Sequence, residues 1–259
     1  MRILVCVKRV PAPGARINVT DDGQSVETAH LGFTTSPHEE CAVEEAVQLV
    51  EEHGGEVTVL TLGAPEAEEQ LRYAASVGAQ RIVLVPTDEN IAGWDPQRTA
   101  AALTEAIEGI EGDGGPFDLI LFGNESADSG GFQVGIRVAH AMGRPIVNGI
   151  KSTDLDGDSV VARKAVEGGF EVYRLPMPAM LGVKEGINLP RYPTMKGRLA
   201  SKKVEMDTNE VDADAGGQAM VRLKRPEETV SNTEIIGTDA SEETAAKVVD
   251  LLEELGVLS

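Results

Sequence analysis

The stretch SPHEECAVEEAVQLVEEHGGEVTVLTL, Ser36 to Leu62, decides the fold. Ser36-Pro37-His38-Glu39 reads as a capping box with proline at the first helical position. Cys41, Ala42, Ala46, Leu49 and Val50 follow at helical spacing, and Gly54-Gly55 ends the helix. Val57 to Leu62 is a short strand-like run. Upstream, Ile3-Leu4-Val5-Cys6-Val7 is a buried strand by the same reading. Downstream the alternation continues. Pro65 opens a helix that carries Leu71, Ala74 and Ala75 and closes at Gly78, and Ile82 to Val85 is a third strand. Asp95-Pro96 caps an alanine-rich helix through about Ile107, and Leu119 to Phe122 is a fourth strand ending at Gly123. A further helix is predicted from near Phe132 to Met142, stopped by Gly143, before Ile146 to Ile150 resumes extended structure. Strands separated by helices imply right-handed crossovers and a parallel sheet. The sequence predicts an α/β nucleotide-binding domain over residues 1–183, built on a Rossmann-like, mostly parallel sheet with flanking helices.

After residue 150 the pattern changes. Val160 to Val166 and Phe170 to Leu175 flank Gly168-Gly169 and read as a β-hairpin. Pro178 to Val183 is another apolar strand. Residues 184–203 form a basic island, with Lys184, Arg191, Lys196, Arg198, Lys202 and Lys203 against one acid, Glu185. Within it, Tyr192 and Met195 sit on a proline-stiffened loop, suited to docking varied partners or to folding over the domain's own core. From Glu205 to about Glu234 the chain is polar and acidic. An amphipathic helix then runs from about Asp239, with Val248, Val249, Leu252 and Leu255, to Gly256. Residues 204–259 thus read as a C-terminal arm that must dock on this domain or on a partner.

The chain has 259 residues, with 43 acidic against 23 basic side chains and a net charge of −20. Such a surface repels polyphosphate, which excludes nucleic-acid binding by net attraction. It fits either a salt-rich surrounding or an ordinary acidic protein. No apolar run reaches the roughly 18 residues of a membrane span, and no signal peptide is read, so the expected location is the cytoplasm. The two cysteines, Cys6 and Cys41, form no CxxC pattern and read as buried thiols. His30, His38, His53 and His140 are isolated and lack metal-ligand spacing. Acidic pairs such as Glu44-Glu45 read as solvated helix faces. No catalytic constellation emerges.

In an open parallel sheet, ligands sit beyond the carboxyl ends of the strands at the topological switch point. Three loops leave such ends: Lys8 to Gly14, Gly63 to Pro65, and Gly123 to Gly135. The last reads Gly123-Asn124-Glu125-Ser126-Ala127-Asp128-Ser129-Gly130-Gly131-Phe132-Gln133-Val134-Gly135. Its small residues let backbone N–H groups face a phosphate, and the following helix offers a positive N-terminal end. Asp128 and Ser129 are placed to bind ribose hydroxyls or to cap that helix. A plain glycine-rich turn is the alternative. The loop is neither a GxxxxGK[ST] nor a GxGxxG fingerprint.

At this point the chain resembles the beta subunits of electron transfer flavoproteins. The opening strand runs into Val7-Lys8-Arg9-Val10-Pro11, similar to that family's VKRVP-like turn. Ser36 to Ala46 is similar to its NPxxxxAxEEA helix start, and Gly123 to Gly135 to its nucleotide loop. Gly168-Gly169-Phe170-Glu171, Leu175-Pro176-Met177-Pro178-Ala179 and Leu189-Pro190-Arg191-Tyr192 resemble its GGxE, LP-PA and NxPRY sequences in order. The resemblance implies an adenine-nucleotide-hydrolase-like sheet and a heterodimer with an alpha subunit that carries most of the FAD site. It implies electrons taken from acyl-CoA-type dehydrogenases and passed to a quinone-linked oxidoreductase, with no enzymatic activity in the beta chain itself. By the same resemblance, Cys6, Val7, Lys8, Ser36, Pro37, His38, Glu39, Leu62, Gly63 and Gly123 to Val134 cradle a structural AMP. Arg191, Tyr192, Pro193, Thr194 and Met195 belong to the loop that recognises dehydrogenases, with Met195 as its apolar anchor.

Departures from the family pattern stand beside these matches. Ser36 replaces an Asn, and Phe132-Gln133-Val134 replaces Asn-Gln-Thr. Gly123-Asn124-Glu125-Ser126-Ala127-Asp128 replaces Gly-Lys-Gln-Ala-x-Asp, and Met195 replaces a leucine. A Gln-Val-Gly ending also occurs in relatives that bind a second FAD here and bifurcate electrons. A nucleotide-binding sensor of the stress-protein type is the alternative from another class, though it leaves residues 176–259 without a purpose.

Overall fold

The computed structural model describes residues 1–87, 94–213, 217–226, 235–237 and 241–258. In chain order the elements are β1 (Arg2–Val7), β2 (Val10–Pro11), β3 (Phe33–Thr34), α1 (Pro37–His53), β4 (Glu56–Gly63) and α2 (Glu68–Val77). Next come β5 (Arg81–Pro86), α3 (Pro96–Gly114), β6 (Leu119–Gly123), α4 (Val134–Ala141), β7 (Ile146–Asp156) and β8 (Ser159–Val166). The series ends with β9 (Gly169–Pro176), β10 (Ala179–Val183), α5 (Met195–Ser201), β11 (Met206–Thr208) and α6 (Glu242–Glu254).

Among the described residues, nine strands form one sheet in the order β11-β5-β4-β1-β6-β10-β7-β8-β9. Pairing is parallel from β11 through β7, and β8 is antiparallel to both of its neighbours, β7 and β9. The first three long strands, β1, β4 and β5, step outward to one side. The chain then crosses back through α3 to place β6 on the other side of β1. That reversal opens a crevice beyond the carboxyl ends of β1 and β6.

Both faces of the sheet are covered, which explains why β1 is apolar throughout rather than alternating. Ile3, Val5 and Val7 pack with Cys41, Ala42 and Ala46 of α1 and Leu71 of α2. Leu4 and Cys6 point to the opposite face, against Leu103 and Ile107 of α3 and Val138 of α4. Burying such a side chain contributes about 1.5–3 kcal/mol. A half-buried ion pair, Arg144 Nη2 to Glu111 Oε2 at 2.7 Å, ties the turn after α4 to α3.

Several elements differ from the sequence reading. The helix after Asp95 continues to Gly114 rather than stopping near Ile107, because Ile110 remains on its buried face. The helix expected from Phe132 starts at Val134, since Phe132 adopts a left-handed backbone with φ 56°. The predicted hairpin is present, but β7 extends to Asp156 and makes it a three-stranded antiparallel edge. The island at 184–203 is not all loop: Met195 to Ser201 is helical. The segment expected to begin the arm contains β11, whose Asp207 is ion-paired to Arg81 at 2.7 Å. The chain divides into two compact units, Met1–Lys224 and Arg225–Ser259. In the second, Ser241 caps α6 by accepting the Thr244 N–H. The helix start expected at Asp239 lies outside the described residues. No described helix is long and apolar enough to cross a membrane.

Leu121 lies fully buried in central β6. Leu121→Ala is expected to destabilise the protein by about 2–5 kcal/mol in urea unfolding, whereas Val172→Ala on the exposed strand β9 is expected to cost under about 1 kcal/mol.

Candidate functional site

The site grows from a carboxylate. Proline at the first position of α1 and Ser36 as its cap leave Glu39 in the first turn, where its side chain turns back over the helix start. Its Oε2 accepts the Ser36 N–H at 3.0 Å and its Oε1 accepts the Lys8 N–H at 3.1 Å. The Ser36 hydroxyl accepts the Ala127 N–H at 2.9 Å, bringing in the glycine-rich loop. Gly123, at the end of β6, admits this carboxylate: a Cβ there would lie 2.6 Å from Glu39 Cγ. Burial pushes the Glu39 carboxyl up to about 8, against the two N–H bonds and the Lys8 charge that favour its ionised form.

Around this point the crevice widens into a cavity of about 170 Å³. Cys6, Val7 and Lys8 from β1, Leu62 from β4 and Glu39 from α1 line its base. Gly123, Asn124, Glu125, Ser126, Asp128, Ser129, Gly131, Phe132, Gln133 and Val134 line one wall. Ser36, Pro37, His38, Gly63, Ala127 and Gly130 lie outside the lining, although Ser36 and His38 brace it. His38 Nδ1 accepts the Glu185 N–H at 2.7 Å, so its ring proton sits on Nε2, which faces Glu125 Oε1 at 3.3 Å.

The opposite wall escaped the sequence reading. It comprises Trp94, the stripe Pro96, Thr99 and Leu103 along α3, and also Phe122, Gly135 and Asn148. The signal available was the chain's single tryptophan, placed just before the Asp95-Pro96 cap at the carboxyl end of β5. Its indole is covered by the Arg98 guanidinium at 3.8 Å from the ring centroid.

The electrostatics of the loop are specific. Lys8 Nζ meets Asp128 at 2.6 Å. Burial opposes ionisation of Asp128, but the Lys8 charge and hydrogen bonds from Ser126 and Ser129 hold its carboxyl below the usual carboxylate range. Asp128 and Ser129 therefore do not cap α4; Gln133 occupies that position. Gln133 Oε1 accepts from Arg137 at 3.0 and 3.2 Å, which leaves its amide N–H₂ as a donor at the wall. Among the described residues, the backbone N–H groups of Gly131 through Gly135 have no hydrogen-bond partner. The wall thus presents a run of unspent donors at a helix N-terminus, a natural seat for an anion. Burial, followed by the nearby Glu39 charge, raises the Cys6 thiol well above its ordinary value, so it is a neutral part of the wall and no nucleophile.

The second predicted group lies at 188–195. Glu44 and Glu45, read from sequence as a solvated face, are buried. Glu44 accepts from Arg191 Nε at 2.9 Å and Nη2 at 3.0 Å, and Glu51 accepts from Arg191 Nη1 and Nη2 at 2.7 and 2.8 Å. Glu45 accepts from Asn188 at 2.9 Å and from the Thr153 hydroxyl. The burial has a cause: the chain returning from β10 lies across α1 and needs acceptors there. Arg191 consequently turns inward, and Thr194 caps α5 by accepting the Gly197 N–H at 3.0 Å. Tyr192 and Met195 point to solvent, 90% and 77% exposed, and Pro193 is half-buried.

An electron transfer flavoprotein domain matches residues 25–214. This chain belongs to the electron transfer flavoprotein family, on its beta-subunit side. It is 29% identical to the beta subunit of Thermoanaerobacterium thermosaccharolyticum, covering 98% of both chains. It is 35% identical to the beta subunit of Syntrophomonas wolfei over 80% of this chain and 79% of that one. Protein FixA of Sinorhizobium fredii is 34% identical over 80% of this chain and 73% of its own. The family's role is electron transfer, and the fold described above is consistent with it.

The raised Glu39 value carries a pH dependence. The folded state holds this proton up to about pH 8, while the unfolded chain releases it near 4.5, the ordinary value for a glutamate. Stability from this group is therefore full below that lower value and declines as pH rises through the folded one. Melting temperatures recorded from pH 5 to 9 are expected to fall toward the alkaline end. Glu39→Gln is expected to flatten that fall while losing about 1 kcal/mol from an acceptor replaced by a donor.

Proposed function

We propose that this chain is the beta subunit of a heterodimeric electron transfer flavoprotein that binds AMP in the crevice above β1 and β6. An alpha subunit supplies most of the FAD site. The heterodimer accepts electrons from acyl-CoA-type dehydrogenases and delivers them to a quinone-linked oxidoreductase. FAD, when bound, supplies the redox chemistry; the protein orients it and sets its electrostatic surroundings. The beta chain is a carrier component and performs no catalysis of its own.

The observation that carries the nucleotide reading is the unpartnered N–H run of Gly131 to Gly135 on the cavity wall. It fits a phosphate, helped by the Gln133 amide and, among the described residues of the lining, by the cation of Lys8. Trp94, Leu103 and Phe122 offer an apolar wall for a base. The residues of the cavity thus fit the expected group. The domain roles in this reading are residues 1–183 for the nucleotide and 184–203 for docking, followed by residues 204–259 as a C-terminal segment whose β11 joins the sheet beside β5 and which ends in the amphipathic helix α6.

A second reading, in which the cavity takes another FAD and the complex bifurcates electrons from NADH, is favoured by one observation. Val134 stands in the cavity wall where a hydroxyl side chain would assist a phosphate. With the purified heterodimer, an acyl-CoA dehydrogenase plus its acyl-CoA is expected to bleach the flavin, and NADH alone is not. Bleaching by NADH supports the second reading. Gly131→Val, which fills the wall toward Pro96, is expected to strip the nucleotide and weaken heterodimer assembly through linkage, measured by nucleotide release and by gel filtration.

A further inference from the structure

Helix α5 has seven residues, too few to hold a helical pose unaided. Its pose is imposed from two sides. On one side, the chain leading into it is tied to α1. Asn188 donates to the Cys41 carbonyl at 3.0 Å and to Glu45 at 2.9 Å, and Arg191 spans Glu44 and Glu51. Those two acids are seven residues apart, hence two turns along one face of α1, where a single guanidinium fork reaches both. The Arg191 backbone N–H adds a bond to Glu44 at 3.1 Å.

On the other side, α5 lies directly on α2. A Cβ at Gly197 would stand 2.2 Å from the Ser76 carbonyl oxygen, so only glycine permits this approach. Arg72 of α2 donates to the Ser201 carbonyl at 2.8 Å and to that of Val204, closing the far end. Asn188 and Arg191 are thus directed inward, while the large apolar side chains of the segment are directed out. Leu189 is 89% exposed, Tyr192 90%, Met195 77% and Leu199 62%. Outward apolar side chains on a tightly held base mark a surface made to be covered. Exposed Lys196, Arg198, Lys202 and Lys203 flank it, in a chain of net charge −20.

We propose that Arg191 and Gly197 are positioning residues: they fix the pose in which Leu189, Tyr192, Met195 and Leu199 are offered to the electron-donating dehydrogenase. The inference rests on the docking role assigned above to residues 184–203. Binding to a surface already in its competent pose avoids the loss of apparent affinity that a partly populated pose imposes. Releasing either clamp lowers the population of that pose, and a tenfold drop raises the apparent dissociation constant tenfold.

The test uses the heterodimer as electron acceptor for a purified acyl-CoA dehydrogenase and its acyl-CoA, varying heterodimer concentration. Gly197→Ala and Arg191→Met are each expected to raise the KM for the heterodimer about tenfold, with kcat within about twofold and flavin and nucleotide contents unchanged. Hydrogen exchange across residues 188–204 is expected to accelerate in both. Arg191→Lys keeps the charge but not the fork, and is expected to recover only part of the loss. Met195→Ala separates the layers of the argument. If it raises KM while the two clamp variants leave KM and exchange unchanged, the positioning role is overturned and docking stands. If Met195→Ala changes nothing, or the wild type takes no electrons from the dehydrogenase, the docking role falls and this inference with it. Loss of flavin and of kcat together in both clamp variants would assign them a merely structural part.

Discussion

One buried carboxylate organises the crevice. Glu39 accepts the N–H of Lys8 at the end of β1 and the N–H of Ser36 at the start of α1, while β6 ends at a glycine because that carboxylate fills the space beside it. The turn after β1 and the start of α1 are therefore registered on two oxygen atoms, and the end of β6 is set against the same side chain. An unpaired backbone N–H in such a place costs about as much as a lost hydrogen bond, so each donor has to find this acceptor. The cavity inherits its shape from that registration. Ser36, freed from serving only its own helix, reaches Ala127 and fixes the loop whose later N–H groups stay open for a ligand.

Helix α1 carries this order from the crevice to the outer face. Glu39 and His38 brace the cavity from its first turn. Between one and about three turns further on, Glu44, Glu45 and Glu51 hold Arg191 and Asn188 and with them the segment leading into α5. A single rigid element thus supports both the candidate nucleotide site and the candidate docking surface. The acids of this helix are spent on acceptor duty toward backbone and guanidinium donors, which is why a strongly acidic helix packs well against an apolar sheet.

The sheet was legible because its signal is redundant. β1, β4, β5 and β6 are apolar runs buried on both faces, and the helices between them carry caps at Ser36 and Asp95. The ligand-facing loop was legible from its glycines and its place after β6. What stayed hidden depends on neighbours that no local pattern records. Glu44 and Glu45 look solvated until the chain after β10 is laid over them. Trp94 becomes part of the cavity only when α3 crosses back over the sheet. β11 is three residues long, and its pairing with β5 leaves no periodicity to read. Phe132 takes a backbone conformation that its residue type disfavours, so the sequence placed the start of α4 two residues early.

The central claim is that the crevice above β1 and β6 holds an adenine nucleotide distinct from the flavin of the alpha partner. The most direct measurement is to co-purify the heterodimer, denature it, and identify and quantify the released nucleotides by mass. One FAD and one AMP per heterodimer is the expected result. Two FAD with no AMP would keep the crevice as a nucleotide site but transfer it to the bifurcating reading. One FAD and no second nucleotide, in a fully assembled complex, would contradict the account.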